Sequence, residues 1–148
     1  MSATSTVSSR LQAASAPAVS GPIVFLGRFF FALIFILSGP RHFTSPIIAY
    51  AASQRVPLAS IAVPFSGALA ILGGLSILLG YRAKIGAWLI VAFVVGVTPM
   101  MHNFWAVTDP MMHEMQMIMF MKNLSMLGGA LLITQFGSGP WSLDRSGK

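Results

Sequence analysis

Apolar residues gather in four long blocks, separated by short polar punctuation. They run over about 22–39, 58–80, 85–102 and 110–136. A hydrocarbon core of ~30 Å needs about 20 apolar residues per helix, so four such blocks use up most of the chain. Lipid offers backbone groups no hydrogen bonds, so the blocks are expected to be helices. Pro22 opens the first block and Asp109-Pro110 the last, the latter a good N-cap and N1 pair. Tyr81-Arg82-Ala83-Lys84 is a tight turn, which makes the second and third helices antiparallel neighbours. The longer link between Pro40 and Pro57 leaves room for a short interfacial helix over Ser45–Gln54. Phe104 and Trp105, in the last link, suit an interfacial aromatic belt. Residues 1–21, rich in Ser, Ala and Thr, read as a disordered polar tail with no cleaved signal peptide, and 145–148 as a second short tail.

Composition strengthens this picture. The chain has 148 residues, of which 8% are charged, and its mean hydropathy is +0.79; soluble domains carry ~25% charged residues. The pI near 11 does not point to nucleic acid, because the nine Lys and Arg residues are scattered between apolar runs. With four spans, Arg10, Arg82, Lys84, Arg145 and Lys148 share one side, against Arg41 and Arg55 on the other with Asp109 and Glu114. The excess of positive charge predicts an all-α, integral membrane four-helix bundle with both termini cytoplasmic. There is no cysteine, which excludes disulfides, Cys-ligated metal and iron–sulfur clusters within the chain.

Small residues mark packing faces: Ser66, Ala70 and Gly74 with Gly73 in the second helix, and Ser125 and Gly129 beside Gly128 in the fourth. Methionines between Met111 and Met126 surround their helix and read as packing or lipid contact rather than a copper site. Two charges fall inside apolar stretches, Arg28 and Lys122, with no acid in those stretches to neutralise either one. Snorkelling accounts simply for Arg28. Lys122, ~10 Å from the outer edge at 1.5 Å per residue, fits a polar core or site, with Asn123 and Ser125 beside it. His42, His102 and His113 collect near outer helix ends, and Thr98 precedes His102 by one turn. Interfacial hydrogen bonding is their plain reading, and a metal or haem site the sharper alternative.

A set of landmarks follows the same order along the chain. It comprises Gly27-Arg28, Ser38-Gly39-Pro40-Arg41-His42-Phe43, Tyr50-Ala51-Ala52 and Val56-Pro57. Further on come Gly73-Gly74 before Leu78-Leu79-Gly80-Tyr81-Arg82, then His102-Asn103-Phe104-Trp105 and Phe120-Met121-Lys122-Asn123-Leu124-Ser125. Gly137-Ser138-Gly139-Pro140-Trp141-Ser142-Leu143-Asp144 ends the set. Over about residues 22–144 this resembles the DoxX family of small four-helix bacterial inner-membrane proteins, in its YphA and YqjF branch. The resemblance implies a bacterial inner-membrane location and a link to quinone-reducing oxidoreductase systems. Many relatives place a Glu where this chain has Ala70 and a Lys where it has His42, so a Glu–Lys pair is lost or replaced here.

The leading expectation is therefore an accessory subunit of a quinone-linked membrane oxidoreductase. Lys122, Asn123, His102 and Trp105 would line a polar pocket, with Arg28 a further ligand-binding candidate. The alternatives are a small transporter for an anion or neutral solute, with Arg28 and Lys122 along its path, and a structural partner of another membrane complex. The residues fix no cofactor: the resemblance brings in a quinone, and haem and metal are not expected. The expected partners are the bilayer, a redox enzyme complex or a second copy of the chain, and not nucleic acid.

Overall fold

A computed structural model describes residues 20–144; the expected polar tails lie outside the described residues, apart from the last two positions of the first. Among the described residues there are five α-helices: α1 Gly21–Ser38, α2 Ser45–Ser53, α3 Ala59–Leu79, α4 Ala83–Met101 and α5 Pro110–Phe136. Short 3-10 turns at Gly39–Phe43 and Phe104–Ala106 join α1 to α2 and α4 to α5. With the turns that extend two of them, α1, α3, α4 and α5 are each long and apolar enough to cross a membrane. The expected four-helix bundle is what forms, and α2 is the short helix anticipated in the longer link.

Local chemistry sets the helix ends. Asp109 accepts from the Met112 amide at 2.9 Å and so caps α5, whose first residue is Pro110. The α3–α4 turn passes through two left-handed residues, Gly80 (φ 63°) and Arg82 (φ 49°). Pro64 and Pro99 lie inside α3 and α4, each near the outer end of its helix.

Small residues let the helices approach. α3 stands between α1 and α4, and α4 between α3 and α5. A Cβ on Gly67 would meet His42 and the Gly39 carbonyl, and one on Gly74 would meet Ile36 and Phe35, so these positions set the α1–α3 spacing. Gly73 turns the other way and meets Gly86 and Ile90 of α4. Gly67 thus takes the place in the seam expected of Ser66, which is half-buried and bonds back to the Val63 carbonyl. The core between the helices holds Ala32, Phe35, Ala70, Ile77, Ala87, Ile90, Phe93, Val94 and Ala130. A second cluster, Ala51, Ala59 and Val63, seats α2 at the outer end.

After α5 the chain folds back. Residues 137–144 form a strap across the end of the bundle that the charge distribution assigns to the cytoplasm. Leu143 and Asp144 donate amide bonds to the carbonyls of Leu79 (3.1 Å) and Gly80 (2.6 Å). Trp141 lies against Gly21 and Gly139 against Val24, so the strap covers the start of α1.

Candidate functional site

Buried polar groups occur at two levels of the bundle. The outer level is a seam between α4 and α5. Thr98 and His102 are one turn apart on α4; Gln116 and Asn123 are two turns apart on α5. Asn123 Nδ2 donates to Thr98 Oγ1 at 3.0 Å, and both residues are buried. One turn further out, His102 Nδ1 donates to Gln116 Oε1 at 2.8 Å. Phe104, Trp105 and Phe120 close the seam edge to face, with ring centroids 5.2–5.9 Å apart. The donors and acceptors of the seam are spent largely on one another.

The five candidate residues do not form one pocket. Asn123 and His102 share the seam, while Trp105 sits at its rim, mostly exposed. Lys122 is on another face of α5 and exposed, its Nζ 3.2 Å from Met119 Sδ. It lies seven residues before Gly129, the position that receives the Phe31 ring of α1, so it faces the α1 side and not the seam. Arg28 is at the opposite end of the bundle. The three histidines also stay apart. His42 Nδ1 donates to the Ser38 carbonyl (3.1 Å) with its ring against Phe93, and His113 packs against Phe104. Among the described residues no group of three or more His, Asp or Glu could hold a metal ion.

The inner level is built around Arg28, which is 4% exposed. Its Nη2 donates to the carbonyl of Trp141, a residue 113 positions further along the chain. Its Nε and Nη1 are buried without an acceptor among the described residues. Next to it, Asp144 accepts from the amides of Arg82 (2.7 Å) and Ala83 (3.1 Å) and so caps α4 from a distant part of the sequence. Burial acts to raise the pKa of Asp144. The Arg82 and Ala83 amides, the Ser138 hydroxyl and the Arg28 charge outweigh that and hold it below the ordinary carboxylate value. Gly80 is required here, since a Cβ on it would run into Arg28 Nη1 and Ser142.

Sequence reasoning missed Asp144 as the acid near Arg28, and Gln116 as the partner of His102. The strap segment was singled out as a distinctive motif, but only tertiary contact shows that it closes over Arg28.

Four apolar helices, an outer seam of paired polar groups and one closed end define a multi-pass integral membrane protein. The chain belongs to the SURF4 family, whose family model matches residues 62–148. It is similar to two proteins of Escherichia coli (strain K12). It is 29% identical to Inner membrane protein YphA over 125 residues, covering 83% of this chain and 89% of the relative. It is 32% identical to Inner membrane protein YqjF over 127 residues, covering 82% and 89% respectively. No solved structure matches. The DoxX assignment is thereby corrected to SURF4. Several of its landmarks, from Gly73-Gly74 to the closing strap, lie inside the matched stretch and serve helix packing, the α3–α4 turn and the capping of α4. Nor is a lost Glu–Lys pair needed to explain Ala70 and His42, since the first fills the core and the second packs on Phe93.

Proposed function

We propose that the chain is a small accessory subunit of the membrane that packs laterally against another membrane protein through the back of α5. The observation that carries this reading is the state of that helix. It has 27 residues, of which Asn123, Ala130 and Thr134 are buried. On its outward face Met121, Leu124, Ser125 and Leu132 are exposed, and Gly128 meets nothing within 4 Å of a built Cβ. Small residues on a lipid-facing helix let a partner backbone come close, which is where association energy in a bilayer arises. The internal pairing of the seam agrees with a supporting rather than a catalytic role. The quinone link came with the DoxX resemblance and is withdrawn with it.

Photo-crosslinking tests the reading. A crosslinking residue at Leu124 or Leu132 is expected to capture a protein partner in native membranes, while one at Phe30 on α1 does not. Gly128→Leu should block the capture without lowering the yield of folded protein. Lipid adducts alone from all three positions would refute the reading, and capture of a second copy would make the partner the chain itself.

A further inference from the structure

The outward face of α1 carries a groove of about 430 Å3 lined by Phe30, Leu33, Ile34, Leu37, Ser38 and Arg41. These positions recur every three or four residues, so they form one stripe along the helix and its following turn. Phe30, Ile34 and Leu37 are exposed. Spanning twelve residues, the stripe is ~17 Å long, about half a ~30 Å hydrocarbon core. It is apolar along its length and cationic at its outer end.

Among the described residues Arg41 has no partner for its charge. The chain holds three acids. Asp109 caps α5 and Asp144 caps α4, while Glu114 is exposed on α5. The Arg41 side chain makes no hydrogen bond with the described residues, although its carbonyl accepts from Thr44. Arg41 falls inside the apolar span Gly21–Phe43, near its outer end. It follows Arg28 by thirteen residues, which places it ~20 Å outward along α1, and Arg28 lies level with Gly80 at the inner end of α3.

Lys122 comes to the same side. Phe31 and Gly129 touch across the α1–α5 cleft. Seven residues outward on α1 is Ser38, a wall of the groove; seven residues outward on α5 is Lys122. The two therefore flank the cleft two turns beyond the contact. By this register Lys122 is level with Ser38, three residues or ~5 Å inward of Arg41. Its ammonium leans on Met119, one turn nearer the outer surface. With the Lys122 ammonium reaching outward, the two cations border one lipid-facing cleft within about one helical turn of each other.

We propose that this cleft is a binding site for an anionic glycerophospholipid of the outer leaflet. Its acyl chain lies in the α1 groove, and its phosphate is drawn down between Arg41 and Lys122. An amphiphile with an acidic head and a long tail matches both the apolar stripe and the cations. A protein helix would fill the stripe yet leave two cations on the lipid-facing surface needing acids. Charge in hydrocarbon is costly unless neutralised, and the phosphate neutralises both side chains as they reach outward.

The test is native mass spectrometry of the detergent-purified chain with phosphatidylglycerol, using phosphatidylcholine as the neutral-headgroup control. Phosphatidylglycerol is expected to bind preferentially, and Arg41→Ala and Lys122→Ala each to lower that preference about fivefold. Arg55→Ala, an exposed cation of the same side outside the groove, should leave it unchanged. Leu37→Trp, which fills the groove, should reduce binding of both lipids. Arg41→Lys keeps the charge and should retain most of the preference, which separates loss of the site from loss of the fold. Equal binding by the unaltered chain and both alanine variants overturns the proposal. So does an equal loss in Arg55→Ala, which would mean unspecific attraction, or retention of free fatty acid in place of phospholipid.

Discussion

At Gly80, a single hydrogen in place of a side chain admits the Arg28 guanidinium beneath the strap. Alanine there combines a left-handed backbone, which costs a non-glycine residue about 1–2 kcal/mol, with a collision against Arg28 and Ser142. Gly80→Ala is expected to lower stability by about 2 kcal/mol or more, read as a fall in thermal midpoint in detergent; an unchanged midpoint would show that the strap yields freely. The Asn123–Thr98 bond gives a second residue-scale expectation. Thr98→Val leaves the buried Asn123 amide without its acceptor and should cost about 1–3 kcal/mol. Adding Asn123→Leu removes the orphaned group and should recover part of that loss. If the double variant is as unstable as the sum of the singles, the two side chains are not coupled. The sequence showed Thr98 and His102 on one face of α4, but it could not show which side of α5 met them. Asn123 and Lys122 are adjacent in sequence and ~100° apart around the helix, and only the packing of α4 and α1 separates their roles.

Among the elements, the strap is the least conventional. It has no regular secondary structure, yet it supplies a cap to α4, a carbonyl to Arg28 and cover to the start of α1. Its hold depends on Asp144 in the charged state. The folded pKa of that carboxyl lies below its ordinary value, which is about 3.9. The stabilisation is therefore present above about pH 4 and is lost as pH falls through the depressed folded value. Asp144→Asn should reproduce the acid state at neutral pH. Hydrogen exchange at the Leu143 and Asp144 amides is expected to speed up in that variant and to depend less on pH. Unaltered exchange would mean that the backbone bonds to Leu79 and Gly80 hold the strap alone. The ends of the four long α-helices fall within about two residues of the apolar blocks in the sequence, because long apolar runs with Pro and Gly at their ends leave little freedom. The strap's destination was not legible, since a short polar segment carries no periodicity that names its partner.

For the whole molecule, the described ends of the chain meet at one end of the bundle, where Trp141 lies on Gly21. The charge asymmetry assigns that end to the cytoplasm. Because the chain has no cysteine, single introduced thiols report the orientation directly. Ala52→Cys on α2 should react with a membrane-impermeant reagent in intact cells, and Tyr81→Cys only after permeabilisation. The reverse pattern would invert the topology and move the proposed lipid site to the inner leaflet.

The sequence by itself determined a bilayer-spanning protein of four apolar helices, their order and their approximate ends. These follow from hydrophobic length and from the need of every backbone group for an internal partner. It also flagged Arg28 and Lys122 as charges requiring an explanation. Tertiary structure alone decided what each one faces. Arg28 meets a carbonyl from the far end of the chain and lies in the field of the Asp144 carboxylate, an arrangement between segments too distant for any local pattern to encode. Lys122 turns away from the seam toward α1, because the buried stripe of α5 passes through Asn123, Ala130 and Thr134 and leaves its neighbour outside.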